Sequence, residues 1–144
     1  MQSPILAPAA MLVLWSMVVL IWFTVTRFAA ITRLPKDQLR TLSKDGTRGQ
    51  DLERVLPESA NWKSHNYTHL MEQPTVFYAA VMILAFAGAG AGINTTLAWG
   101  YVALRIVHSI WQATINKLPV RMFLFATSSL CLIVLAINAA RATI

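Results

Sequence analysis

Residues 5–26 read ILAPAAMLVLWSMVVLIWFTVT, a run without a single ionisable side chain. About 20 apolar residues at 1.5 Å rise cross a hydrocarbon core roughly 30 Å thick, so the run is expected to form a membrane-spanning helix. No positive segment precedes it, and Pro4 and Pro8 lead into a stretch too long for the apolar part of a cleaved signal, so the helix is expected to be retained. Trp15 adds bulk to this helix, and Trp22 and Phe23 fall near its end, at the depth of an aromatic belt, though all three read first as lipid-facing filler. The whole chain agrees with this reading. Of its 144 residues, 56% are hydrophobic and 12% charged, against roughly a quarter charged in soluble domains.

Working outward, the character changes at Arg27. Eight Lys/Arg residues (27, 33, 36, 40, 44, 48, 54 and 63) alternate with Asp37, Asp45, Asp51, Glu53 and Glu58. The mixed signs, Pro35, Pro57 and the Asp45-Gly46 turn signal describe a solvated loop over about 27–60, made of short pieces lying against lipid headgroups. A second span is expected over about 61–92, with a polar first third and an apolar remainder from Pro74. Gly88, Gly90 and Gly92 near its end are either a close-packing surface or the loosened end of a helix. Asn94, Thr95 and Thr96 give a turn and helix cap that start a third span, to about 115. After a loop at residues 116–119, a fourth span covers about 120–140. The chain thus reads as a single all-α domain, a transmembrane four-helix bundle.

The net charge of +6 contains no basic run or aromatic-interleaved patch of the kind that tracks phosphates, so nucleic acid is set aside as a partner. The charge instead records topology. Ten of the twelve basic residues fall on the side of the first and third connections, which the positive-inside rule assigns to the cytoplasm, with both termini opposite. The lone Cys131, within an apolar stretch, allows no intramolecular disulfide and no cysteine metal motif, and reads as a small core residue.

His65, His69 and Glu72 are spaced i, i+4, i+7, and Arg105, His108 and Gln112 i, i+3, i+7, so each set lines one helix face. Both faces lie towards the loop side of their spans and are expected to meet. Arg105 sits roughly 15 Å deep at helical rise and needs a counter-charge. Glu72, the one acid outside the loop, is the economical partner, as a structural ion pair or as part of a site. His65 and His69 with Glu72 and His108 could hold a metal, but no HExxH pattern is present, and polar hydrogen bonding is the alternative. No Ser-His-Asp order, P-loop or dinucleotide fingerprint occurs, and one acid among the spans excludes a two-carboxylate mechanism. A pocket lined by basic and hydrogen-bonding groups at bilayer level suits an anionic polar ligand presented to an apolar co-substrate.

The stretch His69-Leu-Met-Glu72-Gln73-Pro74-Thr-Val-Phe77-Tyr78, then Arg105-Ile-Val-His108, then Arg121, resembles the MAPEG family, the membrane-associated proteins in eicosanoid and glutathione metabolism that include microsomal glutathione transferases. The likeness covers roughly residues 61–141, and the four-span layout extends it over the chain as a divergent, bacterial-type member of an inner membrane. It implies a homotrimer with glutathione as co-substrate between subunits near the cytoplasmic face, and a lipophilic small-molecule substrate arriving from the membrane lipids. Arg121 matches the family arginine that stabilises the glutathione thiolate and is the catalytic candidate. A fixed cation beside a thiol favours its charged form. His65, His69, Glu72, Gln73, Arg105, His108 and Gln112 are the implied glutathione-binding residues. The transferases carry an Arg-x-x-x-Asn-x-x-Glu run where this chain has His65, His69 and Glu72, and a tyrosine where it has Gln112. Two functions follow as expectations: a glutathione-dependent membrane transferase or peroxidase acting on lipophilic electrophiles, or a non-catalytic scaffold or accessory subunit that keeps the fold.

Overall fold

The computed structural model describes residues 3–42 and 48–144; the Asp45-Gly46 turn expected from the sequence lies outside the described residues. Every element among them is helical, as expected of an all-α chain: α1 (Leu6–Ile31), α2 (Lys36–Leu42), a 3₁₀ stretch (Gly49–Arg54), α3 (Glu58–Phe86), α4 (Ile93–Thr114) and α5 (Leu118–Thr143). The four long helices pack on one another, with α3 and α4 central and each contacted by both α1 and α5.

Side-chain and backbone ties set the directions. Ile5 N donates to Gly90 O across 3.1 Å, joining the start of α1 to the chain just past α3. Arg27 Nη1 donates to Ser64 Oγ across 3.1 Å, joining the far part of α1 to the start of α3, so the two helices run antiparallel. The short connections on either side of α4 make α3, α4 and α5 successive antiparallel neighbours. The molecule therefore has a charged end, carrying Arg27, α2, the 3₁₀ stretch and the start of α5, and an opposite end carrying Gly90 and the end of α5.

Phe77 and Tyr101 stack at the centre, ring centroids 4.4 Å apart and 20° from parallel. Leu12, Val19, Leu70, Val81, Leu84 and Leu135 complete the core around them. Outward, Leu14, Ile21, Val25 and Phe28 of α1 and Phe123, Leu130 and Ile137 of α5 are exposed. In water such faces would aggregate, and in a bilayer they meet lipid. These two helices, 26 residues each, are long and apolar enough to cross a membrane; α3 and α4 carry the polar residues between them. Cys131 is free and only partly buried, beside the core.

The ends of α1 and α3 and the cap of α4 differ from the sequence expectation: α1 runs on to Ile31, past the expected end at residue 26 and into the segment read as loop. Helix α3 ends at Phe86, not at residue 92, because Gly88 and Gly92 adopt positive φ, +71° and +63°, a region open to glycine and closed to helix continuation. The glycine run is thus a turn. Helix α4 starts at Ile93 behind Gly92 without a side-chain cap, so Asn94, Thr95 and Thr96 do not cap it as expected. Asn94 lies buried inside the first turn, where Nδ2 donates to Ala89 O at 2.9 Å and Oδ1 accepts from Asn138 Nδ2 at 2.7 Å. Asn94 serves the turn and α5 instead of the helix end.

Gly90 is needed for space. A Cβ there would overlap Ser3 Oγ and come within 2.8 Å of Ile5 Cγ2. Gly90→Ala is expected to lower the thermal midpoint in detergent, at a cost of about 1–3 kcal/mol for overpacking. An unchanged midpoint would show that the chain before α1 moves aside freely.

Candidate functional site

The polar faces of α3 and α4 meet, as expected. Asn66 Nδ2 donates to Ser109 Oγ across 2.8 Å, and Arg105 Nη2 donates to the His69 carbonyl across 3.0 Å. Towards the charged end the same region opens into two clefts. The larger, about 660 Å³, lies where α1, the 3₁₀ stretch and α3 converge, and is lined by Arg27, Arg48, Glu53, Ser64, His65, Thr68, His69 and Glu72 among others. The smaller, about 150 Å³, is lined by His69, His108, Arg121, Met122 and Phe125. His69 borders both. Of the residues expected from the sequence, His65, His69, Glu72, His108 and Arg121 reach a cleft. Arg105, Gln112 and Gln73 line neither.

The loop forms one wall of the larger cleft through specific ties. Arg27 donates to Gly49 O as well as to Ser64 Oγ, and its guanidinium stands 5.5 Å from the centre of the Phe23 ring. His65 Nε2 lies 3.1 Å from Glu53 Oε1. The Asn61 amide donates to Glu53 O across 2.9 Å. Together these fasten the 3₁₀ stretch to α1 and α3.

The expected ion pair between Arg105 and Glu72 is not formed. Glu72 Oε2 accepts from His69 Nδ1 across 3.1 Å, with the Glu72 side chain 60% exposed. Arg105 is 1% exposed, and its Nε and Nη1 have no hydrogen-bond partner. The reason is helix phase: Glu72 points along the outer face of α3, whereas Arg105 runs inward to the His69 backbone. The guanidinium stands 5.9 Å from the Tyr101 ring centre and 5.8 Å from that of Phe125, so aromatic faces supply part of what a carboxylate would. No group of three His, Cys, Asp or Glu side chains is arranged to hold a metal ion among the described residues; His65 contacts Glu53 and His69 contacts Glu72 instead.

Gln73 ties helices together. Its Nε2 donates to Ser129 Oγ across 2.8 Å and its Oε1 accepts from Tyr101 OH across 3.4 Å, linking α3, α5 and α4. Gln112 is buried, with Oε1 unpartnered.

Arg121, at the start of α5, is held by Asn116, whose Oδ1 accepts from Nη1 across 2.7 Å. Asn116 has φ +54°, a conformation that asparagine tolerates better than other residues with a side chain. The sequence reading placed Asn116 in a loop and missed this role; an asparagine between two helical patterns, with Pro119 following, was the available signal. Arg27, Arg48, Glu53 and Ser64 were also missed as lining, because nothing local marks which loop charges fold back. A fixed cation beside two imidazoles, over a floor of Met122 and Phe125, can stabilise an anion such as a thiolate next to an apolar reactant.

Helices throughout the described residues, with apolar faces turned outward and polar clefts at the charged end, describe a membrane protein. The chain matches the model of the MAPEG family over residues 5–141. It belongs to that family, the membrane proteins of eicosanoid and glutathione metabolism. Comparison with curated proteins and with solved structures gave no match.

Proposed function

We propose that this protein is a glutathione-dependent membrane transferase or peroxidase acting on lipophilic electrophiles. The observation that carries the reading is Arg121, held by Asn116 and facing His69 and His108 in the small cleft, with His69 also lining the larger charged one. Glutathione carries two carboxylates and an ammonium. The larger cleft offers Arg27, Arg48 and His65 to the former and Glu53 and Glu72 to the latter. The thiol would then lie by Arg121, where the guanidinium favours the thiolate and lowers the barrier to its attack on an electrophilic carbon or peroxide oxygen. His65, His69, Glu72 and His108 are the groups placed to orient the tripeptide. Gln73 and Arg105 act from behind the cleft by tying helices together.

The assembly we infer is a homotrimer of transmembrane four-helix subunits, with the charged loop in the cytoplasm of a bacterial cell and the helices in the inner membrane. Supporting the oligomer, His65, Thr68, Glu72 and Thr75 form an exposed polar stripe on α3 that lipid would solvate poorly and a neighbouring subunit would cover. The alternative, a non-catalytic scaffold or accessory subunit, is favoured by one observation: Arg105 and Gln112 are each 1% exposed and cannot touch a ligand in this arrangement.

Calorimetric titration of glutathione into the purified, detergent-solubilised protein separates the two. Saturable binding, with conjugation of a hydrophobic electrophile, supports the enzyme. Absence of saturable binding removes it and leaves the scaffold. Elemental analysis of the same sample is expected to find no stoichiometric metal.

A further inference from the structure

A further cleft at the charged end, sharing no lining residue with the candidate site, lies between the last turns of α1, the residues just after it and the first turn of α3. It measures about 490 Å³, and Val25, Ala29, Ala30, Pro57 and Ala60 form much of its wall, with Arg33 at the same cleft. The volume lies within the roughly 300–1,000 Å³ of small-molecule sites. Alanines at 29, 30 and 60 make the room.

Depth identifies the occupant. The uncharged run of α1 ends at Thr26, so Val25 lies at the edge of the hydrocarbon, and the following turns pass through the headgroup layer. The cleft therefore begins at the hydrocarbon edge, at Val25, and runs through the headgroup layer to Arg33. Arg33 is exposed, and its guanidinium has no ion-pair or hydrogen-bond partner among the described residues. Glu58, next to Pro57, does not line the cleft. A planar guanidinium matches a phosphate diester in shape and charge.

We propose that this cleft is a binding site for an anionic phospholipid, its phosphate on Arg33, its glycerol region against the alanine wall and its acyl chains leaving past Val25 into the bilayer. Unlike the glutathione reading, this assignment does not depend on Arg121 or on either cleft of the candidate site.

The test is native mass spectrometry and thermal unfolding of the purified protein supplied with phosphatidylglycerol, phosphatidylcholine or inorganic phosphate. Wild type is expected to retain phosphatidylglycerol in preference to phosphatidylcholine and to gain thermal stability from it, with no gain from phosphate. Arg33→Gln should weaken phosphatidylglycerol retention about fivefold, the loss of one surface cation's attraction to anionic lipid. Ala30→Phe should expel the lipid by filling the cleft. Glutathione binding should be unchanged in both variants, so failure here is distinguishable from failure of the proposed function. Should Ala30→Phe not fold, Arg33→Gln decides alone, since its side chain is exposed. Equal retention of the two lipids by wild type, an equal gain from phosphate, or undiminished retention by Arg33→Gln overturns the proposal.

Discussion

Arg121→Ala is expected to reduce glutathione conjugation by roughly 10²–10³-fold in kcat, the effect typical of removing one group that stabilises a reacting anion. Glutathione affinity should change far less, because the larger cleft, which would hold the charged ends of the tripeptide, does not include Arg121. The signature is therefore a fall in kcat with near-constant binding, together with loss of the ultraviolet band of bound thiolate. Arg121→Lys should recover part of the rate, since it keeps the charge but not the planar donor set. Asn116→Ala should give a smaller fall, of about tenfold, by releasing the guanidinium from its 2.7 Å hydrogen bond while leaving the charge in place. If Arg121→Ala turned over at the wild-type rate, the thiolate would be stabilised elsewhere and the catalytic assignment would be lost.

The largest stability effect is expected at Phe77. Its side chain is fully buried, and its ring stacks on Tyr101 at 4.4 Å and touches Tyr78 at 5.8 Å between centroids. Phe→Ala in a packed core costs about 3–5 kcal/mol. In a bilayer lipid tails solvate the unpacked ring, so the transfer part shrinks and lost packing dominates. Phe77→Ala is thus placed at about 3 kcal/mol. It should appear as a lower midpoint in detergent unfolding, with loss of glutathione binding, because Tyr101 and Arg105 share the packing that sets α4 against α3. Phe77→Leu should restore most of the midpoint. A full-strength midpoint for Phe77→Ala would mean that the stacked pair does not hold α3 to α4.

The sequence reading of the Arg105–Glu72 pair went wrong in an instructive way. Hydropathy says that a deep arginine needs compensation, and Glu72 was the one acid available. Counting charges cannot show that a backbone carbonyl takes the guanidinium's hydrogen bond and that two aromatic rings flank it. Spacing along the helix placed His65, His69 and Glu72 on one face, and that grouping survives in the larger cleft. It could not say that Glu53, from the far side of a long loop, would meet His65. That contact joins residues whose relation depends on how the loop folds back, and no periodicity records it.

Several things were legible without coordinates. The uncharged run at residues 5–26, the apolar run of α5, the charged segment between the first two long helices and the short later connections already specified an all-helical membrane chain with its polar residues at one end. Each is a local property, because the bilayer requires every spanning backbone to satisfy its own hydrogen bonds. The order of His69, Glu72, Arg105, His108 and Arg121 pointed to the MAPEG family. Tertiary structure decided which of these residues open on a cleft and which turn inward, that His69 borders two clefts, that Asn116 holds Arg121, and that Arg33 stands beside an alanine-walled groove. Those outcomes depend on the rotation of each helix about its axis and on the return of the loop, and both are set by packing between segments distant in the chain.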